Sequence, residues 1–412
     1  VAVAAVTRAA QRQGVHAMHL PRATEETTQL ARNLASGKEC IPALIVLGTI
    51  LEYFRHRPPN REGEVFVLMV PTTMGPCRTG QYHVWYEQVF ARLGWQNVVQ
   101  LISSSESSYS EMGPKFTQDV WRALVLSDAF VDIQIGLRLL AKDPELALAE
   151  LEVVWDKVLD GLHAGPAALD GALEDAAARL LAIPRRRRLA DLKKVLIVGE
   201  IYVRRDTFSV TEIVDFLVSR DIFPKVTGVT EWFSYTDYSR KVLMEDRRQR
   251  EGLLRVLTDG KYVREKAVFH IEAVWKHWVE DKLLRHLRPL GLFPQPPHDM
   301  EEIISEGATC FFEPKLESEA TISSAVAGAA MREGWDGVAI IAPFGCLPGR
   351  LIEGVYGPWA KARGYPVIGL ENDGRPYPPN TVSRLDVFAH NVSRYAASAT
   401  PARDIDALPA AG

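Results

Sequence analysis

Short apolar runs alternate with amphipathic helical segments along most of this chain. Four runs rich in valine, isoleucine and leucine predict strands, at residues 64–70, 193–200, 336–343 and 365–373. The first three lead through short connections into helices predicted over 82–94, 210–221 and 350–364. Continuous apolar strands that alternate with helices favour parallel sheets covered on both faces, so we expect an α/β fold.

Longer helical stretches separate these units, because apolar residues recur at helical spacing over 119–142, 144–181 and 241–287. Four arginines, 185–188, mark a linker; such a run can bind phosphate, but a solvated stretch is the interpretation we favour. We expect an N-terminal helix and strand (1–36), a first α/β lobe (37–145), a helical insert and linker (146–192), a second α/β lobe (193–395) with its own helical insert (241–290), and a tail (396–412).

Composition and charge exclude several classes of protein. Of the 412 residues, 47% are hydrophobic and 24% charged, and the net charge of −4 indicates neither disorder nor a nucleic-acid-binding surface. No apolar run approaches the roughly 20 residues of a membrane helix, and the N-terminus lacks the apolar core of a signal peptide. We expect a cytoplasmic protein without a nucleic-acid or membrane partner. Because the first residue is Val1, we also expect a trimmed chain or part of a longer polypeptide.

The four cysteines are too few for a disulfide framework and form no CxxC pair. Three of them are predicted at helix N-termini. Pro42 places Cys40 at or just before a first helical turn, while Cys77 and Cys346 each follow a predicted strand and precede a helix. Open α/β sheets bind ligands at the carboxyl ends of their strands, so Cys77 and Cys346 are candidate site residues.

Helix N-termini favour anions and lower the pKa of a thiol. Three thiolates gathered there would suit an iron–sulfur cluster, and glycines such as Gly345 would let the backbone approach it. Spacing alone leaves a shared cluster and unrelated loop cysteines equally open. Cys310, flanked by Phe311 and Phe312 and without a Gly or Pro turn beside it, is interpreted as a buried core thiol.

A resemblance favours the shared cluster. The motifs GKECIP, GPCRTGQY, VGEIYVR, TEWFSY, GWDGVAIIAPFGCLPG and ENDGRP occur in this order. Together they resemble the 2-hydroxyacyl-CoA dehydratase and benzoyl-CoA reductase superfamily, and more closely its double-cubane cluster proteins and the CoA-enzyme activase-related proteins. The resemblance extends from about residue 31 to 392 and is weakest over 145–190.

The resemblance implies Rossmann-like lobes with a cubane-type iron–sulfur cluster held between them by three cysteines. Matched by motif, the ligands would be Cys40, Cys77 and Cys346, whereas Cys310 matches no ligand. Three thiolates leave one iron of a [4Fe–4S] cluster open, while a double-cubane [8Fe–9S] cluster would need the cysteines of two chains. The electron donor would be an ATP-hydrolysing iron–sulfur activator protein, since no Walker-type motif in this chain indicates ATP hydrolysis of its own.

Polar residues beside Cys77 are candidates for chemistry. Arg78 would neutralise cluster charge, with an ordinary surface arginine as the equal alternative. Gln81 and Tyr82 begin the next helix and would donate hydrogen bonds to sulfide or substrate, although packing is an equally good interpretation of Tyr82.

Charged residues elsewhere are further candidates. Glu200 and Arg204 follow a buried strand, where charges are costly unless paired or used, and a mutual ion pair is favoured slightly over substrate binding. Glu317 and Glu319 are interpreted as simple helix N-terminal carboxylates. Glu319 stands where the resemblance implies a Gly-Glu-Ala turn, but Ser318 replaces the glycine, which weakens a functional role for Glu319. The cleft between the lobes is expected to be lined by Glu231, Trp232 and Tyr235.

We therefore expect an oxygen-sensitive iron–sulfur reductase component. It would accept a low-potential electron from the activator and reduce a small molecule or CoA thioester, as a homodimer or heterodimer. Two alternatives stay open: a 2-hydroxyacyl-CoA dehydratase-type subunit, and a non-catalytic electron-relay or scaffold module of a larger activase-like polypeptide.

Overall fold

The structure, a computed structural model, describes residues 1–57, 59–73, 75–104, 112–294 and 300–395. The predicted tail, 396–412, lies outside the described residues. Within them the chain is a mixed α/β protein with parallel sheets, as the alternating pattern predicts.

Six strands in this part of the chain form two sheets. They are β1 (Phe66–Thr72), β2 (Val98–Ser104), β3 (Lys193–Gly199), β4 (Ile222–Val226), β5 (Gly337–Pro343) and β6 (Val367–Asn372). A two-stranded parallel sheet pairs β1 with β2, and a four-stranded parallel sheet has the order β4–β3–β5–β6. The four runs predicted as strands correspond to β1, β3, β5 and β6.

Helices connect and cover the strands. In chain order they are α1 (Ala2–Arg12), α2 (Glu25–Arg32), α3 (Ile41–His56), α4 (Tyr82–Arg92), α5 (Pro114–Leu140), α6 (Pro144–Ala164), α7 (Pro166–Leu181), α8 (Ile201–Arg205), α9 (Thr207–Val218), α10 (Val229–Glu251), α11 (Leu253–Thr258), α12 (Gly260–Leu287), α13 (Met300–Cys310), α14 (Glu319–Arg332), α15 (Leu347–Ala362) and α16 (Pro379–Arg394). Residues 15–24 contain no strand, contrary to the prediction for the N-terminal segment, because no strand lies beside them to share a ladder.

Both faces of the four-stranded sheet are covered, which explains why its strands are apolar throughout. Alternate residues of β3 enter different cores: Val195 and Ile197 join the core that contains α5, α6 and α7. Leu196 and Val198 join the core beneath α14 and α15. A third core lies between the two-stranded sheet and helices α3 and α4.

The strand order creates a crevice at the carboxyl ends of β3 and β5. The chain leaves β3 toward β4 at one side of the sheet and leaves β5 toward β6 at the other, so the connections diverge between these neighbours. Ligands of open parallel sheets bind at such a point. Glu200 directly follows β3, and Cys346 is the third residue after β5.

Candidate functional site

Three of the four cysteines are helix N-caps, as the Pro and Gly turns around them predict. Cys40 precedes α3, Cys346 precedes α15, and Cys77 precedes a short 3₁₀ helix, Arg78–Gln81. None of these thiols caps its helix by a side-chain hydrogen bond, and the Cys77 Sγ lies 3.1 Å from the Thr79 hydroxyl. Cys40 and Cys346 are buried, and Cys77 is half-buried.

One arginine ties the three cysteine loops together. The Arg78 guanidinium donates through Nη1 to the Lys38 carbonyl at 2.9 Å and through Nη2 to the Gly345 carbonyl at 3.0 Å. Lys38 lies two residues before Cys40, Gly345 directly precedes Cys346, and Arg78 itself directly follows Cys77. The loops that hold the three cysteines therefore meet, although they lie far apart in the sequence.

The charge of one buried carboxyl group acts on all three thiols. Burial raises the pKa of Cys40, Cys77 and Cys346, with that of Cys77 raised to about 11, and the Glu200 charge raises all three further. The expectation that helix N-termini lower these pKa values is therefore wrong for the protein without a bound cation. Loss of thiolate hydration on burial outweighs the attraction of the helix ends.

Two residues that begin the helix after Cys77 have different environments. The Tyr82 hydroxyl acts to lower the pKa of the Cys40 thiol, and burial raises the pKa of Tyr82 so far that the hydroxyl stays protonated. Gln81 is exposed and makes no hydrogen bond to any described residue. Of the two predicted donors, Tyr82 is therefore the one that acts on a cysteine.

Two buried carboxyl groups share one buried guanidinium beside the cysteines. Glu200 and Arg204 do not form the close ion pair predicted, although the Arg204 charge acts against the rise that burial causes in the pKa of Glu200; the Glu200 carboxylate instead caps α8 by accepting from Val203 N at 3.0 Å. Arg204 lies 4.0 Å from Glu319 and donates to the Thr227 hydroxyl. Because α14 packs across β3, a residue distant in sequence takes the place of the expected neighbour.

Glu319 is the site residue that sequence reasoning undervalued. It is buried in the first turn of α14 and accepts from Ile201 N at 2.8 Å. Burial raises the pKa of Glu319 to about 8, with a further rise from the charge of Glu200. An acidic first-turn residue is an ordinary helix signal, and nothing local indicates that the helix end is buried against the crevice.

Cys77 lines a cavity of about 740 Å³, a volume typical of small-molecule sites. Its polar lining includes residues beside Cys77, at the ends of β1 and β3 and at the start of α14, and also residues of α5 and α12: Thr72, Thr73, Thr79, Thr117, Gln118, Glu200, Glu272, Lys276, Glu317, Ser318 and Glu319. Most of the wall is apolar and comes from α5, α10 and α12: Phe116, Trp121, Trp232, Phe233, Ile271 and Trp275.

Of the three residues predicted to line the cleft, Trp232 lines the cavity. Glu231 and Tyr235 instead make hydrogen bonds within the protein. Glu231 accepts from Gly228 N at 3.3 Å within the first turn of α10. The buried Tyr235 hydroxyl donates to the Pro314 carbonyl at 3.2 Å and accepts from Ser318 N at 3.0 Å.

Gly75 brings the Cys77 loop against the segment that leads into α14. Its φ is +72°, and a Cβ at this position would lie 2.2 Å from the Glu317 carbonyl oxygen. Only glycine permits both the left-handed backbone and this approach. Gly75 therefore allows the Cys77 loop to pack directly against the backbone at Glu317.

Cys310 differs from the sequence interpretation. It is the last residue of α13 and is only half-buried, with its Sγ 3.5 Å from the Thr309 hydroxyl. It is not a core thiol, because α13 ends there and the aromatic residues that follow turn into the core instead. Among the described residues, no contact joins it to the other three cysteines.

Comparisons with known proteins do not identify the chain. Neither protein-family models nor curated proteins match it, so the resemblance described above stays a prediction. Among the described residues, no three His, Cys, Asp or Glu side chains are grouped so as to hold a metal ion. The same part of the chain has no helix that is both long and apolar enough to cross a membrane.

Glu319→Gln is expected to flatten the dependence of stability on pH. The carboxyl titrates near its ordinary 4.5 in the unfolded chain and at about 8 in the folded protein, so folding retains a proton between these values. The stability that the protonated Glu319 carboxyl contributes to the folded protein is fully present below pH 4.5 and is lost as the pH rises through 8. Glutamine cannot ionise, so the fall in unfolding free energy that Glu319 causes between these pH values is absent from the variant.

Urea unfolding at a series of pH values from 5 to 9 measures this effect. Glu317→Gln is the matched control, because Glu317 lies two residues away and lines the same cavity. Equal slopes of unfolding free energy against pH for wild type and Glu319→Gln would contradict the assignment.

Proposed function

We propose that this protein is an iron–sulfur reductase component. In this proposal Cys40, Cys77 and Cys346 bind a cubane-type cluster, an ATP-hydrolysing iron–sulfur activator protein supplies a low-potential electron, and a small molecule in the adjoining cavity is reduced. The observation that carries the proposal is the double hydrogen bond of Arg78, which joins the loops of all three cysteines.

The residues at the crevice fit such a group. Three N-cap thiols that make no capping bonds offer their sulfurs to iron, and thiolates are the usual ligands of these clusters. The thiolates of a cubane bind different irons, so they need not be grouped as the ligands of one metal ion are. The Arg78 charge has no carboxylate partner among the described residues and would offset the negative charge of a bound cluster.

The bound cluster would supply one-electron transfer, and the chain itself would supply binding and protons. Tyr82 acts to lower the pKa of Cys40 and would so favour its thiolate form, against the effect of burial. Burial and the neighbouring charge of Glu200 raise the pKa of Glu319 to about 8, so this carboxyl group retains a proton near neutral pH even though the Arg204 charge acts against it. Both carboxyl groups line the cavity beside Cys77, where a substrate that gains an electron also needs a proton.

The cavity favours an enzyme over a non-catalytic relay. A relay or scaffold needs no enclosed volume, whereas here an apolar cavity of about 740 Å³ reaches one proposed ligand. Its aromatic walls favour a substrate, or the acyl part of a CoA thioester, that is mainly apolar.

Exposed residues of the cysteine loops, none of which lines the cavity, support delivery of electrons by a partner protein. Phe344, Gly345 and Leu347 are exposed around Cys346, and Lys38 is exposed near Cys40. A docked activator would therefore come close to the ligands without entering the substrate cavity. A [4Fe–4S] cluster needs one chain, while an [8Fe–9S] double cubane would need the cysteines of a homodimer or heterodimer.

Iron and acid-labile sulfide, measured per chain after purification without oxygen, test the proposal together with EPR after reduction. We expect about four iron and four sulfide per chain and a paramagnetic reduced cluster. About four iron per chain with a slight excess of sulfide, in a dimer with one larger shared cluster, would favour the double cubane. Absence of iron after anaerobic reconstitution would refute the redox function.

A further inference from the structure

A second cavity, of about 910 Å³, lies against the run of four arginines. Arg185–Arg188 line it together with Lys194, Trp335 and the backbone turn at 289–291. Sequence alone favoured a solvated linker for this run. The structure instead folds the linker around a concave surface.

This basic cavity lies at the amino ends of the strands of the four-stranded sheet, whereas Glu200 and Cys346 follow the carboxyl ends. Lys194 is the second residue of β3, and Trp335 precedes β5, so both stand at the amino ends of their strands. Glu200 follows the carboxyl end of β3, roughly 20 Å away at the usual rise of a strand. The basic cavity is therefore separate from the proposed reduction site.

The cations of this cavity outnumber the carboxylates that face them. Arg186 and Arg187 share Asp221, and Arg188 pairs with Asp191 at 2.9 Å. Glu333 is the acidic residue among the described lining groups. Five cations thus meet three carboxylates, which leaves an excess of two positive charges.

The two cations without a carboxylate partner in the described chain are Arg185 and Lys194. Lys194 Nζ lies over the Trp335 ring, 5.4 Å from its centroid. Arg185 donates through Nη1 to the Leu290 carbonyl, while its Nη2 is buried without a hydrogen-bond partner among the described residues. Buried donors are normally satisfied, so this nitrogen indicates an acceptor that the protein does not supply.

Burial lowers the pKa of Arg185, consistent with a cation that is partly removed from water and has no carboxylate to offset it. A guanidinium with a free terminal nitrogen and an ammonium group are the donors that proteins use for phosphoryl oxygens. An excess of two charges matches two phosphoryl groups better than one.

We propose that this cavity binds a diphosphate group, either as the free ion or as part of a nucleotide-like ester. Lys194 and Arg185 bind its oxygens, and Arg188 contributes charge at the exposed rim. The site lies apart from the cysteines, so its occupancy does not depend on a bound cluster.

Calorimetric titration of the full chain with inorganic pyrophosphate tests this proposal. We expect one saturable site per chain, and Lys194→Met is expected to weaken it about tenfold because one charge-assisted contact is lost. Arg188→Gln, at an exposed position, is expected to weaken it about threefold without a change in packing. Urea midpoints confirm that both variants are folded.

Lys282→Met is the matched control. Lys282 Nζ also lies over a tryptophan ring, 5.7 Å from the Trp278 centroid, but on α12 and outside the basic cavity. The affinity of the Lys282→Met variant for pyrophosphate is expected to equal that of the wild type. Titration with ADP separates the two ligand sources: equal affinity indicates recognition of the diphosphate alone, and tighter binding indicates an ester. The proposal is overturned if neither ligand saturates, or if the two lysine variants lose affinity equally.

Discussion

Cys77→Ser is expected to lower the iron content of anaerobically purified protein at least about tenfold. The hydroxyl is a poorer ligand for iron than a thiolate, and only two of the three proposed ligands are left. Cys77 also lines the substrate cavity, so the same variant is expected to lose the EPR signal of the reduced cluster. The measurement is iron per chain, normalised to folded protein by circular dichroism.

Cys310→Ser supplies the matched control, because it makes the same chemical change outside the site. Cys310 ends α13 and its neighbour is Thr309, so its replacement is expected to leave iron content and EPR unchanged. Full iron retention by Cys77→Ser, or equal loss from both variants, would remove Cys77 from the ligand set.

Gly199→Ala is expected to lower the free energy of unfolding by about 3 kcal/mol or more. Gly199 ends β3 with a φ of +119°, and a Cβ there would lie 1.9 Å from the Ile341 carbonyl oxygen. That oxygen accepts a hydrogen bond from Glu200 N at 3.0 Å. The alanine Cβ would therefore disrupt the hydrogen bond that joins the end of β3 to β5 at the crevice. Urea unfolding measures the change, and failure to accumulate folded protein would be its extreme form.

Gly171→Ala is the control for this substitution. Gly171 lies within α7, and a Cβ there would meet no atom within 4 Å. Alanine is expected to stabilise the protein by about 0.5 to 1 kcal/mol, because it lowers the entropic cost of forming a helix. If the two variants were equally stable, the close approach of β3 and β5 would not constrain position 199.

Local patterns predicted much of the architecture, because a strand or helix start depends on residues within a few positions. The continuous apolar runs correspond to β1, β3, β5 and β6, and both faces of the larger sheet are covered. Three predicted N-caps are N-caps in the structure. The predicted N-terminal strand failed because its apolar residues lie beside no other strand.

Features that depend on packing between distant segments could not be predicted in this way. The partner of Arg204 is Glu319 rather than Glu200, since α14 crosses β3 and brings its first turn into the crevice. Cys310 is half-buried because α13 ends at that residue. The pKa of Cys77 rises to about 11 because burial depends on every segment that surrounds the thiol.

The sequence by itself determined the α/β class and the position of three cysteines at helix starts. Both follow from short-range rules: apolar periodicity, and the restricted backbone of Pro and Gly. Only the tertiary structure decided that one arginine joins the three cysteine loops, that two acids share one guanidinium, and that four linker arginines surround a cavity. These contacts join residues as much as 267 positions apart, and such contacts form only when the sheets and their helices pack together.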